Sequence, residues 1–303
     1  MIAGLLMLVY GSDLLVDGSS SIARKFGVSE FVIGLTIVGF GTSCPELVVS
    51  VNGALSASSE VALGNVVGSN IMNILLILGL TALLRPVFVS KQNKKLDIPM
   101  LIAVTLLFIV SCFNGQIGRI NGAIFLLIFT VYLIYSFKTG KADSQPEENE
   151  KEIKPWLSIV MVLLGLAGLV IGGKLFVNNA VELAHRIGAS EKFIAITILA
   201  LGTSLPELVT CIVAAIKKKS QLALGNIIGS NIFNILLILG VSALVHPLDC
   251  SSLSYIDLCI MVASCLAVFA FSISSKKSQL SKAAGGTMLL MEVAYLAYLF
   301  VQM

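Results

Sequence analysis

The chain has 303 residues, of which 57% are hydrophobic and only 12% charged, against about 25% charged in a soluble domain. A mean hydropathy of +0.97 makes most long segments apolar enough to enter a bilayer, so a soluble enzyme or nucleic-acid-binding module is excluded and a polytopic membrane protein remains. The net charge of +3 is small, and the basic residues report on topology rather than on a nucleic-acid partner.

About 20 apolar residues cross the hydrocarbon core. On that measure the sequence predicts ten spans, at 2–23, 30–56, 61–82, 97–114, 119–137, 157–185, 192–216, 221–245, 254–274 and 283–302. The first starts directly after Met1 and is longer than the apolar core of a signal peptide. The longest polar interval, KTGKADSQPEENEKEIKP, divides the spans five and five. It is too short and too charged for a domain and reads as a flexible linker. The expected organisation is a first five-helix unit over 1–137, a linker over 138–156 and a second five-helix unit over 157–303.

Counting Lys and Arg in alternate loops assigns the faces. One side collects Arg24, Lys25, Arg85, Lys91, Lys94, Lys95, Lys138, Lys141, Lys151, Lys154, Lys217, Lys218, Lys219, Lys276, Lys277 and Lys282, the other only Arg119, Arg186 and Lys192. The crowded side is expected to be cytoplasmic, with the linker there and both termini outside, in the cell (inner or plasma) membrane. The six cysteines show no paired or C-x-x-C spacing and read as small core residues.

The two halves are copies. At an offset of 161, residues 41–79 and 202–240 are identical at 24 of 39 positions, too many for coincidence of composition. A weaker echo pairs Tyr132 and Tyr135 with Tyr295 and Tyr298. Five spans is an odd number, so the second copy enters the membrane from the opposite face. Inverted repeats of this kind recur in secondary transporters, with the substrate site at the repeat interface.

The duplicated words are GTSCPEL and GTSLPEL. Each puts an acid, Glu46 or Glu207, inside an apolar span just after a proline. A capping box from Ser43 to Glu46 accounts for the local geometry, but not for the depth. An acid at mid-span costs about 2.5–3.5 kcal/mol on insertion scales and normally faces a cavity or partner. Pro45 and Pro206 interrupt the helix and free carbonyls around Gly39 to Thr42 and Ala200 to Thr203. The hydroxyls of Thr42, Ser43, Thr203 and Ser204 add neutral oxygen. In the following spans Asn65, Ser69 and Asn73, and again Asn226, Ser230 and Asn234, form polar stripes at four-residue spacing. For each stripe residue, plain interhelical hydrogen bonding is the competing reading. Gly64, Gly68, Gly225 and Gly229 read as close helix packing.

No His or Cys recurs in both copies. Two carboxylates among neutral oxygens suit a hard cation, and Ca²⁺ accepts such irregular oxygen cages better than Mg²⁺ does. Na⁺ can occupy subsets of the same oxygens, and mutually exclusive occupancy is the basis of exchange. No H-E-x-x-H, no paired aspartates on facing spans and no G-x-S-x-G occur, so no enzyme is expected.

GTSCPEL…GNVVGSNIMN and GTSLPEL…GNIIGSNIFN resemble the two alpha-repeats of the sodium/calcium exchanger family, within the cation/calcium antiporter superfamily. The resemblance covers essentially the whole chain. It implies an all-α polytopic fold of ten transmembrane helices in two inverted five-helix repeats, broken helices 2 and 7, and alternating access by sliding of helices 1 and 6. Carried over by position, Glu46 and Glu207 would be the central Ca²⁺ ligands, shared with Na⁺. Thr42 and Thr203 would give mainly backbone carbonyls. Ser43, Ser69, Ser204 and Ser230 would serve flanking Na⁺ sites with the carbonyls of Gly39 and Ala200, and Asn73 and Asn234 would border the middle site. At position 234 some relatives, notably potassium-dependent ones, carry aspartate, so Asn234 argues against K⁺ co-transport. The linker is also too short for the Ca²⁺-sensing domains of the large animal exchangers.

The expected function is electrogenic exchange of Na⁺ for Ca²⁺ across the lipid bilayer, with no cofactor, nucleic acid or obligate protein partner. Proton/calcium exchange is the alternative within the class, although the GN-x-x-E setting usual in such relatives is missing here. A cation channel is the alternative outside it. Glu292, whose repeat partner is Phe129, is expected to have no central role, and Asp13 and Asp17 to be structural or interfacial.

Overall fold

The computed structural model describes residues 1–140, 153–186 and 200–301. In chain order the helices are α1 (Ile2–Phe26), α2 (Glu30–Thr42), α3 (Cys44–Leu55), α4 (Ser59–Leu84), α5 (Asn93–Cys112), α6 (Arg119–Thr139) and α7 (Pro155–Arg186). They continue with α8 (Ala200–Thr203), α9 (Leu205–Ile216), α10 (Ser220–Val245), α11 (Tyr255–Ser274) and α12 (Lys282–Val301). Eight are long and apolar enough to span a bilayer by themselves. The pair α2 and α3 makes a ninth span, bent by 50°. Of the expected span 192–216, residues up to 199 lie outside the described set, and α8 and α9 are its described part.

Each break sits one residue earlier than the proline by itself would place it. Ser43 leaves the helix at φ −84°, ψ 7°, and Ser204 repeats this at φ −87°, ψ 3°. Pro45 and Pro206 then occupy the first turn of the following half-helix, where a missing N–H costs nothing. The Ser43 N–H reaches the Gly39 carbonyl at 3.1 Å and the Leu47 N–H reaches that of Ser43 at 3.1 Å. The expectation of a freed Gly39 carbonyl is therefore corrected: its first lone pair is used by the last turn of α2.

α4 and α10 are the most enclosed spans, whereas α6, α7 and α12 turn most of their surface outward. Their outward residues include Leu127, Val131, Leu163 and Val293, the apolar cover a lipid-facing surface requires. α1 and α7 run antiparallel at backbone contact: a Cβ on Gly11 would meet the Gly165 carbonyl at 2.9 Å, and one on Gly165 would meet that of Gly11 at 2.7 Å. α10 lies equally close to α2. There a Cβ on Gly225 or Gly229 would fall 2.1 Å or 2.4 Å from the carbonyls of Phe31 and Leu35. For Gly64 and Gly68, the residues that the 161 offset makes the counterparts of Phe31 and Leu35 lie outside the described residues.

Two short antiparallel strand pairs add to the helices, with β1 (Val87–Phe88) on β4 (Gln279–Leu280) and β2 (Gln116–Ile117) on β3 (Leu248–Asp249). Each joins a loop of the first half to a loop of the second. The β1 and β4 loops both belong to the Lys-rich set, and the β2 and β3 loops both to the Lys-poor set. That match requires an even number of spans between the paired loops. β1 maps on β3 at an offset of 161, and β2 on β4 at 163, the shift that also relates Tyr132 to Tyr295.

Those tyrosines close matching clasps. The Tyr132 hydroxyl donates to Asp97 Oδ1 at 2.9 Å, and the amide of Asn93 donates to Asp97 Oδ2 at 3.0 Å. In the second half the Tyr295 hydroxyl donates to Asp257 Oδ1, also at 2.9 Å. Each clasp ties the fourth span of a repeat to its fifth. Asp97 is buried whereas Asp257 is only part-buried, so the first clasp carries more weight. Tyr132→Phe is expected to destabilise the protein by about 2 kcal/mol, as loss of a hydrogen bond to a buried acid does. Tyr295→Phe should cost less. Melting of the two variants in detergent checks this, and equal or absent shifts would contradict it.

Candidate cation-binding site

The acids of both repeats meet where α3 and α9 start. Glu46 and Glu207 are each 1% exposed and lie within electrostatic range of each other. The serines beside them do not cap their own helices. Instead Ser43 Oγ crosses the interface and donates to Glu207 Oε1 at 3.0 Å. Ser230 Oγ on α10 approaches the same oxygen at 3.5 Å. In return, Thr203 and Ser204 lie against the Glu46 carboxylate. The capping box read from the sequence is thus not formed: Ser43 holds the Glu207 carboxylate of the other repeat, while Thr203 and Ser204 stand beside that of Glu46.

Several acceptors are left over. Glu46 Oε2, Glu207 Oε2, Asn73 Oδ1, Asn234 Oδ1 and Ser204 Oγ are buried without a hydrogen-bond partner. Neither acid forms an ion pair among the described residues. Unpaired buried oxygen is expensive, and unpaired buried carboxylate far more so. A cation that binds oxygen would satisfy such a set, as would protonation of the acids. Among the described residues no cluster of three or more His, Cys, Asp or Glu forms. The donor set is therefore two carboxylates with neutral oxygens, which suits hard cations as mobile cargo.

The remaining predicted residues divide by what they touch. The Thr42 hydroxyl is turned to the Val38 carbonyl (3.1 Å) and Asn226 Oδ1 (3.0 Å), so it braces α2 against α10. Thr203 ends α8, which starts at Ala200. Ser69 is buried on α4. Asn73 and Asn234 sit where α4 and α10 widen into π-helical turns, at Asn73–Leu78 and Phe233–Ile238, a distortion common at functional positions. Asn65 and Asn226, at the other end of each stripe, are structural. Asn65 Nδ2 donates to the Glu46 carbonyl (3.2 Å) and to Ser50 Oγ (2.9 Å), and Asn226 Nδ2 meets Cys211 Sγ at 3.3 Å.

Sequence reasoning passed over Asn70 and Asn231. Asn234 Nδ2 donates to Asn70 Oδ1 at 2.9 Å, and Asn70 Nδ2 to the Asn231 carbonyl at 3.2 Å. This cross-repeat chain uses the amide hydrogens of Asn234 and leaves its Oδ1 free. The signal was available in the duplicated GSN, but these residues lie off the four-residue stripe. Glu292 on α12 is buried with both carboxylate oxygens unpartnered, and among the described residues no interaction links it to Glu46 or Glu207. Asp13 and Asp17 are interfacial, as expected: the Lys217 ammonium at the end of α9 pairs with both, at 2.5 Å and 2.6 Å.

The model of the family described as "Sodium/calcium exchanger protein" matches residues 1–138 and 157–303. The chain belongs to this family. Curated relatives support the assignment over full length. The "Putative antiporter CaxA" of Alkalimonas amylolytica is 40% identical over 99% of this chain and 97% of its own. The "Sodium/calcium exchanger MaX1" of Methanosarcina acetivorans is 34% identical over the same shares. Among solved structures, the sodium-calcium exchanger NCX_Mj soaked with 2.5 mM Na⁺ and 0.1 mM Ca²⁺ superposes with a TM-score of 0.86 at 34% identity, covering 98% of this chain and 96% of that one. The protein is an integral membrane, exchanger-type antiporter, and its inverted-repeat architecture is that of the family.

Proposed function

We propose that this family member exchanges Na⁺ for Ca²⁺ by alternating access and extrudes Ca²⁺ electrogenically. The observation that carries the reading is the pair of buried carboxylates, each beside hydroxyl residues of the other repeat and each with one oxygen unpartnered. In this reading Glu46 and Glu207 neutralise one Ca²⁺. Carbonyls at Thr42 and Thr203 add to its shell, and Asn73 and Asn234 border the middle site. Ser43, Ser69, Ser204 and Ser230, with the carbonyls of Gly39 and Ala200, form the flanking Na⁺ positions. The Gly39 carbonyl does so through its second lone pair.

The same oxygens cannot serve both cargoes at once, so Na⁺ entry expels Ca²⁺. With three Na⁺ per Ca²⁺ one net charge crosses, and the membrane potential contributes about 2.3 kcal/mol per 100 mV. The Lys and Arg distribution supports a cytoplasmic linker at 138–156, extracytoplasmic termini and units over 1–137 and 157–303.

Purified protein in Na⁺-loaded liposomes, diluted into Na⁺-free buffer, is expected to accumulate tracer Ca²⁺. An inside-negative potential set with K⁺ and valinomycin should slow that accumulation, because net positive charge leaves with Na⁺. Uptake that follows a pH gradient and ignores Na⁺ would establish proton/calcium exchange instead. Ca²⁺ flux without any counter-ion would establish a channel.

A further inference from the structure

Away from the acid pair, a pair of reactive groups stands together that ion exchange does not use. Cys112 ends α5 and Cys250 follows β3, 138 positions later in the chain. Gly115 draws their backbones together. At φ +79° it makes the turn from α5 to β2, its N–H donates to the Cys112 carbonyl at 2.9 Å, and its carbonyl accepts the Cys250 N–H at 2.9 Å. The pairing of Gln116 with Asp249 and Ile117 with Leu248 holds that register. The two thiols are free, with Cys112 half-buried and Cys250 buried, and they lie against each other.

The contact between the two thiols favours one thiolate within the pair. The thiol of Cys250 is held below the usual cysteine range, first by the hydrogen bond from Cys112 and further by the Ile117 backbone, against the opposing effect of burial. A thiolate is the reactive form in disulfide exchange. The other cysteines have different neighbours among the described residues. Cys44 meets the Phe40 carbonyl, Cys211 meets Asn226 and the Ala223 carbonyl, Cys265 meets Thr105, and Cys259 is exposed on α11.

We propose that Cys112 and Cys250 form a reversible dithiol–disulfide pair, a redox staple between the two halves of the chain at the β2–β3 end of the bundle. The oxidant is a small disulfide of the glutathione class. The Cys250 thiolate attacks one of its sulfurs and forms a mixed disulfide, and one small thiolate leaves. Cys112, as its thiolate, then attacks the Cys250 sulfur, and the second small thiolate leaves. Two protein thiols and one small disulfide thus become one protein disulfide and two small thiols. In the orientation proposed above, β2 and β3 face the extracytoplasmic side, where disulfides persist. That placement rests on the functional reading, whereas the thiol chemistry does not.

The test uses the full chain in detergent, incubated with oxidised glutathione, then digested and analysed by mass spectrometry without reduction. The expected product is a peptide pair joined through Cys112 and Cys250, lighter by the two thiol hydrogens and separated by dithiothreitol. The link should survive combined Ser replacement of Cys44, Cys211, Cys259 and Cys265, and vanish in Cys112→Ser and in Cys250→Ser. The oxidised wild type should also melt at a higher temperature than the reduced protein, because a long loop is closed in the unfolded chain. Glutathione adducts on Cys250 with no link to Cys112 would overturn the proposal. So would a link to Cys250 that persists in Cys112→Ser. A membrane-impermeant disulfide on sealed vesicles of each orientation separates the two readings: a link formed only from the inner face would refute the orientation and leave the staple standing.

Discussion

Glu46→Gln and Glu207→Gln are each expected to abolish Na⁺-driven Ca²⁺ uptake while the protein still folds. Glutamine keeps the volume of the side chain and an oxygen able to accept the Ser43 hydroxyl, now 3.0 Å from Glu207 Oε1. What it removes is one carboxylate of a pair in which each acid is 1% exposed and without an ion-pair partner among the described residues. A divalent ion there would keep one uncompensated charge. Breaking a buried charge pair costs about 3–5 kcal/mol, which corresponds to a loss in affinity on the order of a hundred- to several-thousand-fold. Glu292→Gln is the matching control, since it removes an equally buried acid with no link to the pair, and it should retain uptake. Tracer uptake in liposomes, with melting in detergent to confirm folding, decides the matter. Normal transport by either site variant would mean that the duplicated acids are structural.

Gly225→Ala and Gly229→Ala are expected to destabilise the fold strongly, and to act on stability rather than on ion selectivity. The added methyl would stand 2.1 Å from the Phe31 carbonyl at the first position and 2.4 Å from the Leu35 carbonyl at the second. The obstacle is backbone, which cannot rotate away as a side-chain tip can. α2 and α10 would have to separate, and overpacking of this kind costs about 3 kcal/mol. α2 also carries Thr42, whose hydroxyl is 3.0 Å from Asn226 on α10, so the movement would reach the acid pair. Gly286→Ala provides the comparison, because nothing lies within 4 Å of a Cβ built there. In the helix interior that change should be neutral or slightly stabilising. Melting temperatures of the three variants, with and without Ca²⁺, test the contrast, and wild-type stability in Gly225→Ala would refute the close approach of the two helices.

The glycine pair and the acid pair were not equally legible. The acids stood out because an ionisable group in an apolar span has few tolerable explanations, and because a second copy at an offset of 161 presented the same anomaly again. The glycines read only as a packing motif, since which backbone approaches them depends on a helix crossing that no local pattern states. The clasps show the same limit. The Tyr132 and Tyr295 echo was visible, but their acceptors Asp97 and Asp257 come from another span and lie at the edge of the recognisable repeat. Cys112 and Cys250 carried no signal at all, being remote in sequence and dissimilar in context.

What the sequence determined by itself follows from constraints that act along the chain. Bilayer thickness sets the length of each apolar run, loop charge gives its expected direction, and the odd number of spans expected per copy implies that the second repeat inverts. Duplication then marked the candidate cation ligands. The tertiary structure alone decided who partners whom. Ser43 has a local acid three residues away and yet donates to Glu207, 164 residues on. The inverted packing places the two helix starts face to face, and a hydroxyl there reaches the opposing carboxylate without closing the turn of its own helix. That choice leaves one oxygen of each acid unpartnered, and pairing of this kind depends on distances across the bundle, which the order of residues along one strand of chain does not contain.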